Sequence, residues 1–476
     1  MHTPPRSDRR RLGPQRRGAA AAALACLLLA LVVPGSAGAA WSTPTDISDH
    51  GRYAAAPQVA FDRQGNAIAV WLGPDLSVQG AVRPAGAAWQ RPTDVSAGGG
   101  SEGPHLAVGP QGNAVAVWTR SDGIVQAAER PAGGSWQPAV DLSPPGRSLA
   151  PQVAFDARGG AVVVWSREVG VRFGGHVVES ADRPPGGSWQ APVAVSAGLA
   201  ASAAHLAVGA NGDAAVVWDR RDADGYTVQS ALRRAGGAWE PPVDISAVQG
   251  FLSAARVAVG PQGDAVAVWA TGTNLILEPL HSASRAAGGA WQAPVEISGG
   301  GVDGFVSPQI EIDSRGETIV IWSPARRYGS GPVRSATRTA TGTWQAPVVV
   351  APGDGDQRGP HVAVDPHGNA IAVWSDTGVR SAVRPAGGGW QAPTAVADGL
   401  YSPSGAFLAL DAQGDGVAVW VRDVDRGYVV QSATYDARAA VTGLRVSPAV
   451  FRAARSGASV RPPGARTPAR VHYALS

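Results

Sequence analysis

Three histidines, His105, His205 and His361, stand at one position of an internal repeat, each followed by an apolar-Ala-Val run. The same position holds Gln58, Gln152, Arg256, Gln309 and Phe407 in the other copies. Imidazole is a common metal ligand and general base. A metal would need all three rings within ~2.0–2.1 Å of one ion, whereas a column with one member per repeat is spread around a ring. The column is therefore expected to line a channel mouth. Carboxylates offer a second chemistry. Asp219, Asp222 and Asp224 run up to Gly225 with the spacing of part of a calcium loop, but without the terminal bidentate Glu. Asx turns would produce the same pattern. Calcium is the one cofactor suggested. No Gly-x-Ser-x-Gly elbow stands in a strand-to-helix context. A glycosidase carboxylate pair drawn from distant repeats stays open. The single cysteine, Cys26, lies in the N-terminal apolar run, so the chain after it has no disulfide, thiolate metal site or cysteine nucleophile.

These residues are positioned by a β-hairpin written eight times. Its copies begin at Pro57, Pro104, Pro151, Ala204, Ala255, Pro308, Pro360 and Ala406. Each has a turn glycine (Gly65, Gly112, Gly159, Gly212, Gly263, Gly316, Gly368, Gly414), and six residues later a tryptophan, from Trp71 to Trp420. A second tryptophan opens a Trp-Gln-x-Pro-like segment at 41, 89, 136, 189, 239, 291, 344 and 390. The two sets account for all 16 tryptophans, which are expected to be core staples. Each repeat reads as four strands: a (Pro57 to Phe61), b (Ala114 to Trp118), c (Val228 to Ala231) and d (Trp291 to Ser298). Strands a and b are apolar on both faces and must be covered on both. Four strands per ~40–50 residues mark a β-propeller. The chain opens on a lone strand d, Trp41 to Ser48, and its eighth repeat lacks one. The sequence thus predicts an all-β, eight-bladed propeller over 41–440, closed by the N-terminal strand.

The flanks differ. Residues 1–40 carry six arginines, then Ala19 to Val33 as a short apolar run and Ala37-x-Ala39 as a small-residue cleavage site. They read as a signal peptide, and the protein as secreted or surface-exposed, with no membrane span after cleavage. Residues 441–476 hold six arginines and no acid, and read as a tail or the start of a further β-domain. The sequence pI of ≈ 9.3 comes from these ends. Between them, 28 arginines face 36 acids, a net charge of −8 that argues against nucleic acid.

Repeat lengths vary in the b–c and d–a loops, which emerge at the same end of a propeller. Eight of the 14 Phe and Tyr fall there: Tyr53, Phe173, Tyr226, Phe251, Phe305, Tyr328, Tyr401 and Tyr428. Binding residues concentrate on variable loops held by a rigid scaffold, so these aromatics are the expected ligand contacts, unless they pack the loops together.

The Trp-Gln-x-Pro-x-Asp-Ile-Ser and Asp-x-x-Gly-Asn-Ala-x-Ala-Val-Trp repeats resemble those of secreted bacterial propeller proteins over 41–440. The turn-then-Trp pattern is distantly similar to Asp-box, sialidase-type propellers, whose Ser-x-Asp-x-Gly-x-x-Trp spacing is not kept. That resemblance would imply an arginine triad with a Tyr/Glu pair. The segments at Leu444 and Val471 are similar to the start of β-sandwich modules in secreted proteins. The expected function is a monomeric, non-catalytic propeller binding a glycan, a cell-envelope polymer or a protein. A sialidase-like or other glycoside hydrolase and a structural spacer are the alternatives.

Overall fold

The computed structural model describes residues 40–49, 53–98, 101–170, 175–198, 201–221, 225–247, 251–273, 276–300, 305–306, 308–326, 329–353, 357–399, 405–425, 427–437, 441–447, 452–453, 460–461 and 470–475. The chain divides into two compact units, Trp41–Ala437 and the two ends taken together. In the second unit, Val441–Ser447 pairs antiparallel with Arg470–Leu475, and Arg452–Ala453 with Val460–Arg461. No helix among the described residues is long and apolar enough to cross a membrane.

The larger unit is an eight-bladed β-propeller. Seven blades run a-b-c-d in chain order, all antiparallel. In blade 4, for example, strand a is Ala201–Val208, b Ala214–Arg221, c Tyr226–Arg233 and d Val243–Asp244. Blade 8 has strand a at Phe407–Leu410, b at Gly416–Val424 and c at Gly427–Asp436. Its outer strand comes from the other end of the chain: Ala40–Trp41 and Thr45–Asp46 pair with strand c. Ser48 Oγ accepts the Val430 N–H at 2.9 Å, and Gln431 donates to Asp46 at 2.6 Å.

The hairpin tryptophan explains why strand b is apolar on both faces. All eight are at most 1% exposed. Each packs on alternate strand-b residues of the preceding blade: Trp269 on Ala215 and Val217, Trp322 on Val266 and Val268. The seam between blades 8 and 1 is built alike, Trp71 packing on Val417 and Val419. Burying an apolar side chain of this size contributes on the order of 3 kcal/mol, and every seam has one.

The second tryptophan is half-buried, and in three blades its indole N–H is bonded to a serine of the preceding blade. Trp239 donates to Ser180 Oγ of the preceding blade at 2.7 Å, and Trp41 to Ser381 Oγ at 2.7 Å. Arg233, at the end of strand c, lies 5.0 Å over the Trp239 ring and reaches Asp182 of the preceding blade at 2.5 Å. Arg183 does the same with Trp189 and Glu129. Strand d is shorter than the sequence predicts: only Val295–Glu296 pairs in blade 5, not Trp291 to Ser298. Gln292 still donates its N–H to Ser284 O at 2.8 Å, but Pro294 has no N–H to continue the ladder.

Five of the eight a–b turns are fixed by an aspartate (Asp62, Asp156, Asp313, Asp365 and Asp411), and the other three have glycine there (Gly109, Gly209 and Gly260). Asp62 Oδ1 accepts the N–H groups of Gln64 and Asn66, both at 2.9 Å, and Asn66 Oδ1 accepts the Ala85 N–H of the c–d turn. Gly65 takes φ +78° at the tip. This end of the propeller is therefore tied and repetitive. The opposite end carries the elaboration. Blade 5 extends its strands to Phe251–Val259, Ala265–Thr273 and Ile276–Arg285. Blade 6 adds a three-stranded sheet of Phe305–Val306, Pro324–Arg326 and Gly329–Ser330.

Candidate functional site

Strand a is the inner edge of every blade, so half of its backbone N–H groups face away from strand b. Three members of the histidine–glutamine column meet that need. His105 Nδ1 accepts the Val153 N–H of the next blade at 3.3 Å. Gln152 Oε1 accepts the Leu206 N–H at 2.9 Å, and His205 Nδ1 the Val257 N–H at 3.3 Å. In blades 2, 3 and 4 one acceptor side chain per blade is thus bonded to the strand a that follows, whereas His361 Nδ1 of blade 7 has no hydrogen-bond partner among the described residues. Arg256 and Phe407 carry no acceptor and cannot make this bond. An accepting Nδ1 places the proton on Nε2, so His105 and His205 are neutral donors on their other side.

Gln58, His105, Gln152, His205, Arg256, Gln309, His361 and Phe407 all line one central cavity of ≈ 510 Å³. The column is thus gathered in the structure. It lies deeper than a channel mouth: in blades 2–5 four or five strand residues separate it from the d–a loop. A β-bulge precedes it in six blades, as between Ala55 and Gln58 and between Leu149 and Gln152, with Ala56 and Ala150 at φ +48° and +49°.

The cavity is polar but carries few charges. Burial holds His105 and His361 down to about 4, and His205 well below its usual value, with Arg256 and His105 adding repulsion. All three are uncharged at neutral pH. His361 packs on Phe407 with ring centroids 5.0 Å apart. Burial lowers the Arg256 guanidinium, and Asp219 opposes that effect. Glu311 also lines the cavity, and burial pushes its carboxyl up to about 7. Sequence reading missed Glu311. Its signal is the fourth position of strand a, which is alanine in the other seven blades (60, 107, 154, 207, 258, 363 and 409).

The calcium reading loses a member. Asp219 is not in a b–c loop but inside strand b of blade 4, opposite Ser202, and is buried. Burial pushes its carboxyl up to about 6, against the pull of Arg256. Asp222 and Asp224 lie outside the described residues. Among the described residues no group of three His, Cys, Asp or Glu could hold a metal ion.

The aromatic loop residues divide. Tyr53 and Tyr428 are 38% and 36% exposed, at the b–c/d–a end of adjacent blades 1 and 8. Tyr226 starts strand c of blade 4 at the same end, and Arg221 covers its ring at 5.4 Å. Phe251 and Phe305 begin strands at that end, in blade 5 and in the added sheet of blade 6. Phe173, Tyr328 and Tyr401 lie outside the described residues.

No protein family and no curated protein matches the chain. Solved structures do. A lectin from Burkholderia pseudomallei is similar with a TM-score of 0.54 at 16% identity, over 74% of this chain and 100% of the lectin. An ulvan-degrading polysaccharide lyase is similar at a TM-score of 0.46 and 10% identity, over 76% of this chain and 96% of the lyase. A Hadza microbial sialidase is similar at 0.36 and 12%, over 59% and 65%. The lectin likeness is one of fold.

Proposed function

We propose that this chain is a secreted, non-catalytic propeller that binds a glycan at its b–c/d–a end. The observation that carries the reading is the pair of exposed tyrosines, Tyr53 and Tyr428, at that end of adjacent blades. An exposed tyrosine presents an apolar face and a hydroxyl, the combination that suits a sugar ring. The central cavity adds uncharged hydrogen-bonding groups: three amides and three neutral imidazoles. Glu311 is the one carboxylate among its lining residues, whereas glycosidases work with two. The lectin likeness agrees with this reading through the fold alone. Export by residues 1–40 and action outside the cell belong to the same proposal.

The test is an array of glycans and cell-wall polysaccharides probed with the purified chain, scored for retention and for shortened products. We expect retention without cleavage. The double variant Tyr53→Ala/Tyr428→Ala should bind about tenfold more weakly, the equivalent of ~1.4 kcal/mol. Unchanged affinity would remove the site, and shortened sugars would favour a glycoside hydrolase.

A further inference from the structure

We propose that the central cavity selects a glycan carrying a free amino group, with the carboxylate of Glu311 as the partner of an unacetylated hexosamine; this rests on the glycan-binding reading above. The first observation is the broken column. Seven blades place alanine where blade 6 places Glu311. Alanine suffices for the fold, so the carboxylate is not there to build a blade.

The second observation is the absence of a partner. Among the described residues Glu311 makes no hydrogen bond or ion pair, although its neighbours are engaged. Arg256, on strand a of blade 5, is set against Asp219. His361, on strand a of blade 7, is uncharged and packs on Phe407. Strand b of blade 6, Thr318–Trp322, offers no titratable side chain. At the turn of blade 6, Asp313 pairs with Arg315 at 2.8 Å and Glu317 with Arg384 at 2.7 Å. A carboxylate enclosed without a counter-charge is costly. A proton or a cationic ligand group relieves it, and burial already draws a proton to Glu311 near neutrality.

The third observation is the company the carboxylate keeps. Amides and neutral imidazoles match hydroxyl groups, and Phe407 offers an apolar face. The cavity of ≈ 510 Å³ falls in the ~300–1,000 Å³ range of small-ligand sites. A bare metal ion would want more anionic ligands than Glu311 alone. A polyhydroxylated ring bearing one ammonium group satisfies both the carboxylate and the amides. The two blades that carry Arg256 and Glu311 are also the ones with lengthened strands (blade 5) and an added sheet (blade 6).

The experiment titrates the purified full-length chain at pH 7 with glucosamine tetramer and with N-acetylglucosamine tetramer, by calorimetry. The expected result is at least tenfold tighter binding of the free amine, lost in Glu311→Gln, with binding of the acetylated tetramer unchanged. Glu311→Ala, which restores the residue of the other seven blades, should behave like Glu311→Gln and covers the case of a misfolded variant. Equal affinity of the native chain for both tetramers, or a preference that survives in both variants, overturns the inference and leaves glycan binding standing. Binding of neither tetramer overturns the two together if the glycan array is also silent, and the inference alone if the array is positive. Glu311-dependent binding of a lysine-rich peptide in place of the sugars overturns the hexosamine assignment. Shortening of a tetramer by the native chain but not by Glu311→Gln also overturns it, making Glu311 a general acid.

Discussion

Replacing Glu311 with alanine should stabilise the propeller, and only above a defined pH. Glu311 is half-buried in the cavity wall, and desolvation there pushes its carboxyl up to about 7, against 4.5 for the free group. At ~1.36 kcal/mol per pKa unit the difference is worth about 3 kcal/mol. The sign follows from which state holds the proton more tightly. Below pH 4.5 Glu311 is protonated in both states and has no effect. Above 7 it is ionised in both, and only the folded state bears the cost of an enclosed charge. Between these limits the native chain should lose stability relative to Glu311→Ala, until the gap reaches about 3 kcal/mol. Urea unfolding at pH 4, 5.5 and 8 reads this directly, because the eight buried hairpin tryptophans report the transition. The channel histidines titrate in part of the same window, but they are present in both chains and largely cancel in the difference. The reasoning fails if the gap stays flat from pH 4 to 8. A cationic ligand should close the gap at pH 8, so stability and binding can be measured on the same variant.

Two further outcomes follow from the ring of acceptors and from the closing strand. His105 is held down to about 4 by burial while its unfolded form titrates at 6.5, so its contribution is intact above 6.5 and is lost as pH falls toward 4. His105→Gln keeps an acceptor for the Val153 N–H and should remove up to about 3 kcal/mol of that acid sensitivity, read as the pH dependence of the urea midpoint; an unchanged profile would show that His105 is not the sensitive group. Deleting residues 40–48 exposes strand c of blade 8 as an unpaired edge, and edges recruit other chains. Size-exclusion chromatography should then show oligomers or aggregate, and a well-behaved monomer with the native melting temperature would contradict closure by that strand.

The fold was legible because its two determinants are local and repeated. Turn glycine to tryptophan is a fixed interval, and the packing it dictates recurs at every seam. Closure could be read because one strand type was in excess at the start and missing at the end. The outer strand was overextended in the reading because Pro294 and its equivalents remove a ladder donor while leaving the strand-like pattern of the flanking residues. The column from Gln58 to Phe407 was found, but its first role was not. The hydrogen bonds from His105, Gln152 and His205 to the next blade's backbone depend on strand edges that the sequence does not show to be neighbours. Asp219 was misplaced because Asp, Arg and Gly runs suggest loops, whereas strand b of blade 4 continues through Arg221.

Glu311 shows what kind of signal a repeat protein offers. In a non-repetitive chain a single glutamate lining a cavity has no internal reference. Here each position has seven others, and the seven define what the blade itself requires. By that measure His105, Gln152 and His205 are structural: histidine and glutamine interchange there because either supplies an acceptor to the neighbouring strand. Arg256 and Phe407 depart from the histidine–glutamine column and carry no acceptor for its bond, and Glu311 departs from the alanine column two positions on. Asp219 likewise replaces small or apolar residues such as Thr119, Ser166 and Ala270, and stands against Arg256. These four departures all lie in blades 4, 5, 6 and 8, and three of them line one cavity. Their presence at the central cavity, where an unpaired charge costs most, is the physical argument for the binding site proposed there.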